Sequence, residues 1–383
     1  MTHISDNIKY IGVNDKTIDL FEGQYVVPNG VSYNSYAIID EHIAIFDTAD
    51  KRKTEEWLDN VEVALCGRTP DYLIISHMEP DHSASIAALI KKYPSIVAVG
   101  NEKTFNIAER FFGNLIANKL VVKEGDELSL GKHKLKFVFA PMVHWPEVMF
   151  TYETTEKVLF SADAFGKFGA LDVEEDWACE ARRYYINIVG KYGSTVQTAL
   201  KKAATLDIKV ICPLHGPVLK ENLAYYLDKY NTWSSYTPED KGVLIAYASI
   251  YGHTGEAANK LAEMLRSKGE KVVVADLARY DMAEAVEDAF RYDRLVAASV
   301  TYDGGIFPVM EQFLNRLKSK NYQNRTVAIV ENGSWAPASG RLIRAYFEGM
   351  KDVKIIEKTV TVKSALKADT EQELQELANE LVK

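Results

Sequence analysis

The sequence predicts a two-domain α/β protein, and three observations predict it. A chain of 383 residues is too long for one ordinary domain, and 47% hydrophobic residues suffice for two cores. Its first part begins with alternating strands and then sets histidines and carboxylates at strand ends. Its last part alternates apolar strands with amphipathic helices, the pattern of a doubly wound parallel sheet. Between Asn231 and Gly242 the polar stretch NTWSSYTPEDKG carries a proline and breaks the periodicity, which puts the domains at 1–236 and 241–383.

Taken in order, residues from about 8 to 50 alternate apolar and polar positions, as in SYNSYAIID and HIAIFDTAD, and suit paired antiparallel strands. The run YLIIS then leads into His77-Met78-Glu79-Pro80-Asp81-His82 and a helix, SASIAALIKKY, with a serine at its start as N-cap. Three more strand-like runs, LKFVFAP, KVLFSAD and IKVICPL, each end in a loop holding a His or an Asp. From Val243 the strands are VLIAYAS, KVVVADL, RLVAASV, TVAIVEN and VKIIEKTV, with helices such as EAANKLAEMLRSKG between them. There is no internal repeat and no low-complexity segment.

Bulk properties exclude several classes. Forty-five basic and 54 acidic residues leave a formal charge of -9, which disfavours nucleic acid as a partner and gives no polybasic membrane patch. The first residues lack the pattern of a secretory signal, and no stretch runs 18 apolar residues, so a soluble, cytoplasmic protein is expected. Cys66, Cys179 and Cys212 are far apart and without C-x-x-C; they read as reduced core thiols and exclude a built-in iron–sulfur cluster.

The six residues from His77 to His82 hold four metal-capable side chains, and His144, Asp163 and His215 follow later strands. A lone His or Asp at a strand end is usually a turn or cap residue. Burying two histidines and two carboxylates together without a cation is costly, however, and that cluster makes the three later residues credible ligands. Seven candidates suffice for two metals. Of the other histidines, His3, His42 and His133 read as surface residues.

This arrangement resembles the metallo-β-lactamase fold, an αββα sandwich whose hydrolases carry H-x-H-x-D-H followed by His, Asp and His. Here Glu79 stands where the second histidine would be, and added carboxylate suits redox-active iron better than zinc. The form H-x-E-x-D-H is similar to that of the flavodiiron family. The resemblance implies two non-haem irons: one held by His77, Glu79 and His144, the other by Asp81, His82 and His215, with Asp163 bridging. Direct coordination by His82 varies within the family.

In the second domain, strand VLIAYA is followed by Ser249-Ile250-Tyr251-Gly252-His253-Thr254-Gly255 and a helix. A short Gly- and hydroxyl-bearing loop entering a helix N-terminus is a phosphate cradle. It lacks the dinucleotide and nucleoside-triphosphate patterns, which points to a monophosphate such as FMN. The stretch resembles the flavodoxin signature at Tyr247, Ser249, Gly252, Thr254, Ala258 and Leu261, and departs from it at Ala246. Two later loops suit flavin contacts: Thr301-Tyr302-Asp303-Gly304-Gly305 and Asn332-Gly333-Ser334-Trp335, the latter continuing to Ala336.

The flavodiiron resemblance covers nearly the whole chain. It implies an oxidoreductase that reduces dioxygen to water, nitric oxide to nitrous oxide, or both, with the chemistry at the diiron centre and no protein acid or base assigned. It further implies a head-to-tail homodimer, alone or paired as a homotetramer, and rubredoxin or reduced coenzyme F420 as the electron donor. Two other readings stand beside it: a zinc hydrolase fused to a flavodoxin-like module, and a carrier or gas sensor with a vestigial metal site. Glu79 argues against the first, and the complete set of seven ligands against the second.

Overall fold

A computed structural model describes residues 4–383, so His3 lies outside the described residues. Its contacts divide the chain into two units: one comprises residues up to Tyr185 with Tyr192–Asn231, the other Ile186–Lys191 with Thr232–Lys383. The helix Leu223–Ser234 runs into the stretch expected as linker, and a strand begins at Asp240, so only 235–239 lies outside regular elements. The apolar face of YNTW, with Tyr230 and Trp233 buried, extends the helix past the polar residues.

In the first unit the opening strands are β1 Ile8–Tyr10, β2 Val13–Asp15, β3 Leu20–Phe21, β4 Tyr25–Val26, β5 Val31–Tyr33, β6 Tyr36–Ile39 and β7 Ile43–Phe46. They are followed by β8 Tyr72–Ile74, β9 Val97–Gly100 and β10 Lys119–Val121, and one sheet runs β1-β6-β7-β8-β9-β10. A second sheet takes β11 Glu127–Ser129, β12 Lys134–Phe139, β13 Met149–Glu153, β14 Val158–Phe160 and β15 Val210–Cys212, in that order. Side chains of both sheets meet in one core that includes Tyr36, Phe46, Phe137, Met149 and Phe160. Phe46 and Phe160 stack there with centroids 3.9 Å apart. The helix Thr54–Leu65 buries Trp57, Val61 and Leu65, a spacing of four that makes one apolar face.

The second unit is a parallel sheet of β16 Asp240–Ala248, β17 Val272–Asp276, β18 Tyr292–Tyr302, β20 Arg325–Asn332 and β21 Val353–Val362; β19, Gly305–Ile306, pairs antiparallel with the end of β18. The order is β17-β16-β18-β20-β21. Val243, Ile245, Val296, Ala298, Ala328 and Val330 bury one face against helices His253–Ser267 and Ala368–Leu381. Leu244, Ala246, Leu295, Ala297, Val327 and Ile329, on the other face, are equally buried, which is why these strands read as continuous apolar runs. Among the described residues no helix is long and apolar enough to cross a membrane.

Several expectations are corrected. Only Cys212 is a core thiol; Cys66 and Cys179 are exposed, the former at the left-handed end of helix Thr54–Leu65. Ser85 occupies the N-cap position of helix Ile86–Lys92, but its hydroxyl donates to the Ala49 carbonyl instead of capping. His133 is buried, not superficial: its Nδ1 lies 2.7 Å from Asp40 Oδ2 and its Nε2 3.1 Å from Glu156 Oε1. Two carboxylates brought in from other segments, which no local pattern announces, make that burial tolerable.

Burial opposes charge on His133, but the hydrogen bonds with Glu156 and Asp40 outweigh it and its pKa is raised. The stabilisation is therefore full below about pH 6.5, where the unfolded chain's histidine is also protonated, and is lost as pH rises through the folded pKa. His133→Gln is expected to cost about 1.5–3 kcal/mol at pH 6 and less at pH 9. Denaturant unfolding across that range checks it, and a cost independent of pH would contradict it.

Candidate metal and flavin sites

All seven candidate ligands come from the loops that leave strands of the two sheets in the first unit. His77 and Glu79 follow β8, Asp81 and His82 lie in the helical turn Pro80–Ser83, and His144, Asp163 and His215 follow β12, β14 and β15. They gather into two groups, His77 with Glu79, His144 and Asp163, and Asp81 with His82 and His215. His144 Nε2 stands 2.8 Å from Glu79 Oε2 and 3.1 Å from Asp163 Oδ2, and His77 Nε2 is 3.2 Å from the same Asp163 oxygen. In the second group His82 Nε2 is 3.0 Å from His215 Nε2, and Asp81 Oδ2 is 3.4 Å from the first and 3.2 Å from the second.

Asp163 joins the groups. Its Oδ2 faces His77 and His144, while its Oδ1 lies 3.8 Å from His82 Nε2 and 4.0 Å from His215 Nε2. Within each group the donor atoms stand 2.8–3.6 Å apart, close enough for one ion to be reached by all of them.

The groups cannot satisfy one another. His77 Nδ1 and Nε2, both oxygens of Asp81, His82 Nδ1 and Asp163 Oδ1 are buried without a hydrogen-bond partner. Burial disfavours charge throughout. The hydrogen bond with His144, then the His77 imidazole 3.6 Å away, still hold the Glu79 carboxyl at about 2, and bonds to Asp163 and Glu79 raise His144 to about 10. In the second group burial, then the Glu79 charge, pushes Asp81 up to about 6, while burial and the His215 charge drive His82 well below its usual value. Cations between these donors would remove both problems, so the residues fit a two-metal site.

The surrounding sequence aims the ligands. His215 Nδ1 is 2.7 Å from the Ser32 carbonyl, which turns Nε2 toward the other ligands. The Ser32 hydroxyl accepts the Gly216 N–H, and Asn34 donates to the Pro213 and Gly216 carbonyls, so β5 shapes the His215 loop. Sequence reasoning missed Tyr184. Its ring centroid lies 5.4 Å from that of His215, and its hydroxyl is buried without a hydrogen-bond partner. Burial, then the charges of Asp163, Glu79 and Asp81, push the phenol well above its ordinary pKa, so it keeps its proton. A single tyrosine in the helix Trp177–Tyr184 gives no signal of this.

In the second unit a cavity of about 390 Å³ opens at the carboxyl ends of the parallel strands. Of the expected residues, Ser249, Tyr251, His253, Thr254, Thr301, Asp303, Gly304, Asn332, Gly333, Ser334 and Trp335 line it. Gly252 does not; it forms the turn beneath, at φ +97°, where it begins the helix His253–Ser267 and donates its N–H to Ser249 Oγ at 3.1 Å. Tyr302 and Gly305 line a neighbouring groove, because β19 folds that end of the loop back on β18.

Ile250, Val300, Ala336 and Ser364 complete the lining. Ser364 follows β21, and its position at a strand's carboxyl end was the available signal. Asn332 exchanges two hydrogen bonds with the Ser364 backbone, and Thr301 Oγ1 accepts the Ala338 and Ser339 N–H groups, which ties the lining loops together. Tyr251 and Trp335, 91% and 92% exposed, stand on the rim as broad uncovered ring faces. A helix N-terminus, a glycine turn and aromatic rims suit a phosphate-bearing, planar cofactor.

Two family models match the chain, one described as ODP family beta lactamase over residues 31–216 and one as flavodoxin domain over 244–367. A nitric oxide reductase of Moorella thermoacetica is 26% identical, covering 99% of this chain and 97% of its own. Among solved structures, the rubredoxin oxygen:oxidoreductase of Desulfovibrio gigas matches with a TM-score of 0.94 at 26% identity, over 99% of this chain and 97% of the other. A mutant flavo-diiron protein from Thermotoga maritima matches with a TM-score of 0.90 at 25% identity, over 98% and 95%.

Proposed function

The chain belongs to the flavodiiron family, and from that premise we propose that it reduces dioxygen to water, nitric oxide to nitrous oxide, or both, taking electrons through FMN to two non-haem irons. The observation that carries this reading is the pair of buried donor groups sharing Asp163. When bound, the irons supply two electrons and the reduced flavin two more, against four for dioxygen and two for a pair of nitric oxide molecules.

The protein's part is to hold and shield. His77, Glu79 and His144 would hold one iron and Asp81, His82 and His215 the other, with Asp163, which faces both groups, shared between them. The carboxylates balance the metal charge in a site that water reaches poorly. Tyr184 keeps a proton on its hydroxyl, which has no hydrogen-bond partner in the protein and would be available to donate to a substrate atom beside His215. Tyr184→Phe is expected to slow gas turnover about 10- to 100-fold with iron content unchanged; stopped-flow reoxidation with iron analysis checks it, and a wild-type rate would remove the tyrosine from the reaction.

The oxidoreductase reading is favoured over a zinc hydrolase, since relatives spanning nearly the whole chain are named nitric oxide reductase and rubredoxin oxygen:oxidoreductase. Rubredoxin is accordingly the first donor to try, with reduced coenzyme F420 the second. The exposed Tyr251 and Trp335 support a head-to-tail dimer, alone or as a tetramer, in which a partner covers the flavin rim.

The deciding experiment is anaerobic: the protein, loaded with iron and FMN, is fully reduced and then mixed with dioxygen or nitric oxide at matched concentrations. Rapid reoxidation by one gas, with the matching yield of water or nitrous oxide, names the substrate. Failure with both overturns the proposal.

A further inference from the structure

A buried carboxylate outside the seven ligands ties two ligand loops together. Glu147, three residues beyond His144, is 1% exposed, and its Oε1 accepts the Met78 N–H at 2.9 Å. Met78 stands between His77 and Glu79. On its other side, the Met78 carbonyl accepts the Ser83 hydroxyl at 2.8 Å. The Met78 residue is thus gripped through both its backbone polar groups, and that grip sets the directions in which His77 and Glu79 leave the chain.

Glu147 is itself fixed. Asn101 Nδ2 donates to its carbonyl at 2.6 Å, while Asn101 Oδ1 accepts the Lys103 and Thr104 N–H groups and caps the helix Glu102–Phe112. Just beyond, the Met149 N–H donates to the Ser76 carbonyl at 2.9 Å. The loop after β8 and the loop after β12 are therefore one connected unit around His77, Glu79 and His144. The second Glu147 oxygen, Oε2, is buried with no hydrogen-bond partner. A carboxylate buried for the sake of one backbone N–H is a costly way to close a loop, and such a cost is retained where the geometry it enforces matters.

We propose that Glu147 is a positioning residue for the iron held by His77, Glu79 and His144, acting through the Met78 backbone; the proposal rests on the diiron reading above. The test compares wild type, Glu147→Leu and Glu147→Gln, each loaded with iron and FMN, for the rate at which a ferrous chelator removes iron and for the Mössbauer spectrum of what remains. Leucine roughly keeps the volume but cannot accept the Met78 N–H. It is expected to release one iron about 10- to 100-fold faster, with an altered spectrum for that iron and unchanged FMN content. Glutamine can accept the same N–H and is expected to restore slow release.

A leucine variant with wild-type release and spectrum overturns the proposal, as does a glutamine variant that releases iron as fast as leucine. Should Glu147→Leu fail to fold, Ser83→Ala removes the opposite grip on Met78; faster release of one iron supports the proposal, and wild-type release overturns it. Wild-type protein that takes up no iron would instead overturn the diiron reading, and the wild-type arm reveals that separately.

Discussion

Asp163→Ala is expected to strip the protein of iron and abolish gas reduction while leaving FMN bound. The two oxygens of Asp163 face different groups, Oδ2 toward His77 and His144 and Oδ1 toward His82 and His215. Alanine supplies neither. Partners one shell out from a metal commonly cost 10–100-fold in affinity when removed, so a ligand shared by two metals should cost more than about 100-fold. Asp163→Asn keeps one oxygen and is expected to retain part of the iron. Metal analysis and flavin absorbance on the same preparations check this. Two irons retained in the alanine variant would remove Asp163 from the bridge, and loss of FMN along with iron would show that the two sites do not bind independently.

The converse variant is Gly252→Val. Gly252 holds φ at +97° at the start of the helix His253–Ser267, with open space where a Cβ would project. A β-branched residue is strained there by roughly 1–3 kcal/mol, and relief requires the turn to move the N–H groups that open the helix. Because a phosphate depends on those groups, FMN affinity is expected to fall at least about 100-fold while iron stays bound at the wild-type ratio. Fluorescence titration of FMN into flavin-free protein, with iron measured alongside, reads both. Wild-type FMN affinity in this variant would mean that the phosphate lies elsewhere.

Much of this was legible in the chain because the chemistry is local. His77 to His82 sit within one loop and turn after one strand, and Ser249 to Gly255 within one strand-to-helix connection. Apolar runs identified the parallel strands because both faces of that sheet are buried. Other expectations fail for a single reason. His133 looked like a surface residue because Asp40 and Glu156, which make its burial possible, come from other segments. Tyr302 looked like a cavity residue because nothing local announced the short strand β19 that turns its loop away.

The sequence by itself determined the types and order of the candidate metal donors, the glycine turn that begins the helix His253–Ser267, and the alternation of strands and helices, since each depends on spacing along one segment. Tertiary structure alone decided the distances and burial of those residues, and which unannounced side chains join them: Tyr184 beside His215, Glu147 beside Met78, Ser364 beside Asn332. Those relations are contacts between segments remote in the chain. They are fixed by how sheets pack and loops close, and packing leaves no periodic trace in the residues that it brings together.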